Sequence, residues 1–343
     1  MNNAEIITKA ISSSLNIIEQ EREREIISRR FGLNGNKETL EQIGEMLSIT
    51  RERVRQLEKA ILIRLRIAAE EGRITDLAPA EKIIIRNLTE MGRIARTNSL
   101  AKKILGHEPN AIDKANFSFL GEISPALTIL TENDKYHGAI GIAEYGDEKT
   151  IRNRVDEIVS IIKSNKSPMN IEELDSKLDY EHPSHIEAIA MLSKNLSTLN
   201  GQWGLTKWPT VNPKNIRDKI YVVLEEKKEP MHFSDIAKAI GSSDFRRKNV
   251  TVQAIHNELI KDSRFVLIGR GIYALNSWGY EKGTVSDIIT KILKKASDAG
   301  LSRKEIVKQV LKERKVKETT VLLNLQNKSL FAKVGKDNYK LAK

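Results

Sequence analysis

Apolar residues recur at helical spacing along most of the chain. In residues 16–30 (NIIEQEREREIISRR), Ile17, Ile18, Ile26 and Ile27 mark one apolar face and predict an amphipathic helix. Phe31-Gly32-Leu33 ends it, and Asn34-Gly35 is a turn signal. Thr39 opens a short helix, TLEQIGEML, with Gln42 three residues on as a capping box requires. Leu40, Ile43 and Leu47 give that helix its buried side. Ser48-Ile49-Thr50 is a tight turn, and Thr50 caps a long helix reaching about Ala69. Val54, Leu57, Ile61 and Leu65 form its core stripe, while Arg51, Glu52, Arg55 and Gln56 project from its first turns on the other side. Two helices joined by a three-residue turn, the second with an exposed polar start, predict a helix-turn-helix.

The remaining chain repeats itself. Residues 216–275 read as three helices (IRDKIYVVLEEKKEP, HFSDIAKAIG, NVTVQAIHNELIKD) and then a strand, a Gly269-Arg270-Gly271 turn and a strand. That is the order of a winged helix. The order recurs on either side, with first helices starting near Ile151, Ile216 and Val285, about 65 residues apart, and wing turns at Asn200-Gly201 and Gly335-Lys336-Asp337. A looser copy occupies 79–143, with a helix near 111–126 and LTILTENDKYHGAIGIA as its wing. The expected fold is mainly α: a helix-turn-helix over 1–75, then tandem winged helices of three helices and a β-hairpin over 76–148, 149–213, 214–280 and 281–343. Joints are expected near Ala78-Pro79, Gly146, Pro209–Pro213 and Gly279–Gly283.

Charge sharpens this picture. The 343 residues carry a net +11 at pH 7, which suits a polyanionic partner. The excess is uneven: residues 1–213 hold 29 basic and 31 acidic residues, and residues 214–343 hold 28 and 15. A module gripping DNA releases counterions at each phosphate and should be basic. The 76–148 and 149–213 copies therefore read as spacers or docking modules. Phosphate contacts are expected instead from Arg246, Arg247, Lys248 and Arg270 in the third copy, and from Lys317 and Lys336 in the fourth, with Lys315, Lys328 and Lys333 nearby. The chain has no Cys, which removes disulfides, Cys-ligated zinc, iron–sulfur clusters and a Cys nucleophile.

In the helix-turn-helix, Arg suits guanine, Gln suits adenine, and Glu accepts from cytosine N4. The same Arg and Glu spacing also suits a solvated, salt-bridged helix face. The run EREREIISRRFGLNGNKETLEQIGEMLSITRERVRQLEKAILIRLR, within residues 20–66 and about a seventh of the chain, resembles region four of bacterial primary sigma factors. The resemblance implies that Arg51, Glu52, Arg55 and Gln56 face bases of a promoter −35 element. It implies that Thr39, Thr50 and Arg53 hold phosphates, and that the module docks on the flap of the RNA polymerase β subunit. In sigma factors the module lies at the C-terminal end, behind domains that hold polymerase and melt DNA. Here it stands first, so a sigma-type reader attached to something else is expected.

Residues 214–278 resemble the HARE-type winged helix through the run HFSDIAKAI, VQAIHNEL and FVLIGRGIYAL. That resemblance implies association with nucleic acid or polymerase and no reaction. His182 and His185 are split by Pro183 and do not read as a metal pair. His256 reads as a packed histidine, and Trp203, Trp208 and Trp278 as hairpin packing. No GxxxxGK[ST], GxSxG, HExxH or GxGxxG is present, so no enzyme and no cofactor is expected. The expectation is a bacterial, cytoplasmic, nucleoid-associated DNA-binding transcription regulator that touches no membrane. The alternative is a polymerase-associated interaction protein with little sequence-specific DNA binding.

Overall fold

A computed structural model of the chain describes residues 2–245, 249–296, 300–334 and 337–342. Two compact units divide it, residues 1–207 and 208–343.

The first unit opens with a helix that sequence reading missed, α1 (Asn3–Asn16), closed by an Asn2–Glu5 capping box. Its buried residues, Ile7, Ala10, Ile11 and Ser14, follow helical spacing. The helix expected over 16–30 begins instead at Glu21, as α2 (Glu21–Phe31). Ile17 caps α1, Gln20 is extended, and Ile18 turns into the core. The four isoleucines read as one face thus serve two helices. Helices α3 (Leu40–Leu47) and α4 (Arg51–Glu70) follow as the spacing predicts.

Helix α5 (Leu77–Glu90) starts before the joint expected at Ala78-Pro79. Pro79 sits in its first turn, where a backbone N–H has no helical acceptor to lose. Strand β1 (Ile94–Arg96), α6 (Thr97–Leu105), α7 (Ala111–Ile123), β2 (Leu127–Leu130) and β3 (Ala139–Ile142) complete this segment. The short strand between first and second helices was not anticipated. Three residues show no periodicity, yet β1 pairs with β3 (Ile94 opposite Gly141) and gives the sheet order β1-β3-β2.

The next segment repeats the order with α8 (Glu148–Asn165), α9 (Ile171–Asp175), α10 (Pro183–Ala190), β4 (Leu196–Leu199) and β5 (Gln202–Leu205). Met169 bridges Trp203 in place of a first strand. His182 caps α10 through Nδ1, and Pro183 opens that helix.

One apolar core runs from Ile7 and Ile11 through Ile61 and Leu65 to Phe117, Phe119 and Ile140. It crosses the expected 75/76 boundary without a break. The Phe31 ring stands edge-on to Phe119, with centroids 5.2 Å apart. The third helices of both segments are used up inside the unit. Helix α7 packs on α1, α2 and α4. Helix α10 packs on β1, where Gly92 (φ +83°) lies so close that a Cβ would stand 2.5 Å from the Ser184 carbonyl oxygen. His137 N–H donates to the Leu192 carbonyl and Lys194 N–H to that of Lys135. The buried Tyr136 hydroxyl donates to Asp156 at 2.8 Å. Burial, then that bond, push its pKa up to about 12.

The second unit holds the same order twice. Helix α11 (Ile216–Lys227), β6 (Met231–His232), α12 (Phe233–Ser242), α13 (Val252–Lys261), β7 (Phe265–Gly269) and β8 (Ile272–Leu275) come first. Then follow α14 (Val285–Lys294), β9 (Leu301–Ser302), α15 (Arg303–Glu313), α16 (Glu318–Leu325), β10 (Phe331–Val334) and β11 (Asn338–Leu341). Both sheets again place the first strand against the last. Arg264 bonds Asp262 and Asp218 and so ties β7 to α11. Thr284 and Ser302 cap α14 and α15 as read from sequence.

Phe119→Ala should cost about 3–5 kcal/mol, because the site is closed on all sides. Guanidinium unfolding followed by circular dichroism measures it. Faster amide exchange at Ile61 and Leu65 should accompany faster exchange in α7; acceleration confined to 111–123 would contradict a shared core.

Candidate nucleic-acid interface

The helix-turn-helix is assembled from small, specific constraints. Ser48 adopts a left-handed conformation (φ 55°) and ends α3. Its turn folds back so tightly that a Cβ on Gly44 would stand 2.7 Å from the Ile49 carbonyl oxygen, so only glycine fits. Ile26, Ile43 and Val54 form a small core joining α2, α3 and α4. The arginine-rich run before it is structural: Arg22 donates to the Leu47 carbonyl at 2.6 Å, and Arg30 Nε reaches both Glu58 oxygens at 3.1 Å. Sequence reading missed these ties, since a run of Arg and Glu looks alike whether it crosses helices or not.

Both expected caps form. The Thr39 hydroxyl accepts from the Gln42 N–H and the Thr50 hydroxyl from the Arg53 N–H, each at 3.2 Å. Arg51, Glu52, Arg53, Arg55 and Gln56 are all exposed on the first two turns of α4. They also hold one another. Glu52 accepts from Arg55 at 2.7 and 2.8 Å and from Gln56 at 3.3 Å, and Arg51 pairs with Glu41 at 2.7 Å. The salt-bridged face and the reading face are thus the same residues. Exposed pairs of this kind are worth little in water, so a ligand can exchange them at small cost. The Arg55 guanidinium holds the Glu52 carboxyl below its ordinary range.

In the second unit Arg270 lies exposed in the turn between β7 and β8, and Lys317 stands exposed before α16. Arg246, Arg247, Lys248 and Lys336 fall outside the described residues. The exposed side of α13 was not anticipated: Val252, Gln253, Asn257 and Ile260 are uncharged and open, beside the half-buried His256. Ile260 and, on α16, Leu323 are 63% and 64% exposed, the most of any large apolar residue described. The signal was present as a gap in charge at i, i+1, i+5 and i+8. The His256 ring packs near Phe233 and Tyr273.

These features define a DNA-binding helix-turn-helix protein of the transcription class with a sigma-type module. Residues 20–66 match the family model of sigma-70 region 4, and residues 216–278 match that of the HARE-HTH domain, a restriction endonuclease HTH domain. The chain is similar to RNA polymerase sigma factor SigA of a Bacillus species, 42% identical over 57 residues (16% of this chain, 15% of that one). It is similar to the principal sigma factor HrdC of Streptomyces coelicolor, 47% identical over 58 residues (17% of each). It is also similar to SigA1 of Synechococcus elongatus, 48% identical over 46 residues (13% and 12%). The chain thus spans about a sixth of the length of these relatives. No described helix is long and apolar enough to cross a membrane.

The Glu52 carboxyl should titrate below a free glutamate by NMR, and Arg55→Ala should return it to the ordinary value. Because the folded pKa is lowered, the pair persists above the ordinary glutamate pKa and is lost as pH falls through the lowered one. An unchanged titration in Arg55→Ala would remove the pair.

Proposed function

We propose that the chain is a bacterial, cytoplasmic, nucleoid-associated transcription regulator whose sigma-type module reads a −35-like hexamer in duplex DNA. The observation that carries this reading is the placement of α4. Its capped N-terminus stands exposed with Arg51, Glu52, Arg55 and Gln56 together, while the third helices of the two following segments are buried. Arg and Gln offer bidentate contacts to guanine and adenine edges, and Glu accepts from cytosine. Thr39, Thr50 and Arg53 sit at helix starts, where partial positive charge favours phosphate. The four segments after the module act as tandem winged helices. The first two brace the reader; the second unit, at 28 basic to 15 acidic residues over 214–343, grips flanking duplex through Arg270 and Lys317. Similarity to sigma factors adds the β flap of RNA polymerase as a partner.

A second reading takes the protein as polymerase-associated, with little sequence preference. It is favoured by Ile260 and Leu323, whose exposure on third helices suits a protein surface better than a phosphate backbone.

Fluorescence anisotropy separates the two. On duplexes with a TTGACA-like or a scrambled hexamer at about 150 mM salt, the first reading expects a preference of tenfold or more, about 1.4 kcal/mol. Arg55→Ala should abolish it. Equal binding to both duplexes, unchanged by Arg55→Ala, favours the second.

A further inference from the structure

Two cavities open side by side along α4 and share Glu58, Leu62 and Glu122. The smaller, about 270 Å³, is also lined by Arg55, Lys59 and Arg66. The larger, about 840 Å³, continues to Lys37, Arg96 and Lys114 on the first segment after the reader. Together they form a trough that begins at a base-reading candidate and ends beyond the module.

Its cations are available and its carboxylates are not. Lys37, Lys59, Arg66 and Lys114 are exposed, and none pairs with a carboxylate among the described residues. Arg96 donates from Nε to the Met191 carbonyl and has no carboxylate partner there either. Glu58 gives both oxygens to Arg30, and Glu132 pairs with Lys194 at 2.8 Å. Glu122 is half-buried, and burial raises its pKa and weakens its negative charge. Five cations facing two neutralised carboxylates and one weakened one suit a polyanion laid along the trough. Arg55, Lys59, Leu62 and Arg66 stand at i, i+4, i+7 and i+11, one line down α4, so the same strand can leave the reading residues and stay in contact.

We propose that this trough holds the phosphate backbone of duplex continuing beyond the read hexamer, with Arg66 and Lys114 as contacts. The inference rests on the DNA reading proposed above. It gives the 76–148 segment, acidic overall, a phosphate-binding edge that net charge conceals.

The test is salt-dependent anisotropy with full-length protein carrying Arg66→Ala and Lys114→Ala together. Circular dichroism melting checks the fold; both side chains are exposed. One duplex extends a helical turn, about 10 bp, beyond each end of the hexamer; the other has minimal flanks. On the long duplex the variant should bind several-fold more weakly, and its log affinity against log salt should flatten by roughly two. On the short duplex it should match wild type, and the hexamer preference should persist. Unchanged affinity and slope on the long duplex, with the preference intact, would overturn the trough. Loss on the long duplex without any hexamer preference in wild type would overturn the reader and keep the trough as a sequence-blind phosphate site.

Discussion

Helix α7 cannot stand at a surface. Ala115, Phe117, Phe119, Leu120, Gly121 and Ile123 are all buried, which leaves it apolar on nearly every side. Such a helix needs cover on two faces. Its own segment supplies one through α6 and β2; helices α1, α2 and α4 supply the other. The edge-on contact of Phe31 with Phe119 marks the seam. The sigma-type module is therefore braced from behind, and its reading edge is what remains free. The second segment docks by the same device, its third helix against β1 at Gly92. Burying these helices removes them as DNA readers and lends rigidity to the helix that is left.

The second unit follows the opposite logic. Its third helices are open, and its charge is strongly positive. Yet the exposed side of α13 is uncharged. Net charge places a module near a polyanion; the residues on one face decide what that face touches. The trough beside α4 makes the same point in reverse, since an acidic segment carries free cations where they adjoin the reader.

Much of this was legible in sequence. Thr39 with Gln42, and Thr50 before Arg51, announced both helices of the reader through capping chemistry, and the caps form as written. The 65-residue recurrence announced the repeated segments. What escaped was either too short or too distant. Strands of two or three residues, such as Met231–His232, carry no period. The split between α1 and α2 follows from Ile18 turning into a core built largely by residues far along the chain. Pro79 marked a helix start and was taken for a joint. The Arg22 and Arg30 ties, and the alignment of Lys114 with Arg66, depend on helices meeting in space, which spacing along the chain does not encode.

The central claim is that α4 reads base sequence. Selection from a pool of randomised duplexes by the full-length protein tests it most directly, because no target is assumed. The account predicts one enriched hexamer, related to TTGACA, that disappears when Arg55 and Gln56 are both replaced by alanine. A pool that returns without an enriched sequence, while the protein still retains DNA, would contradict it.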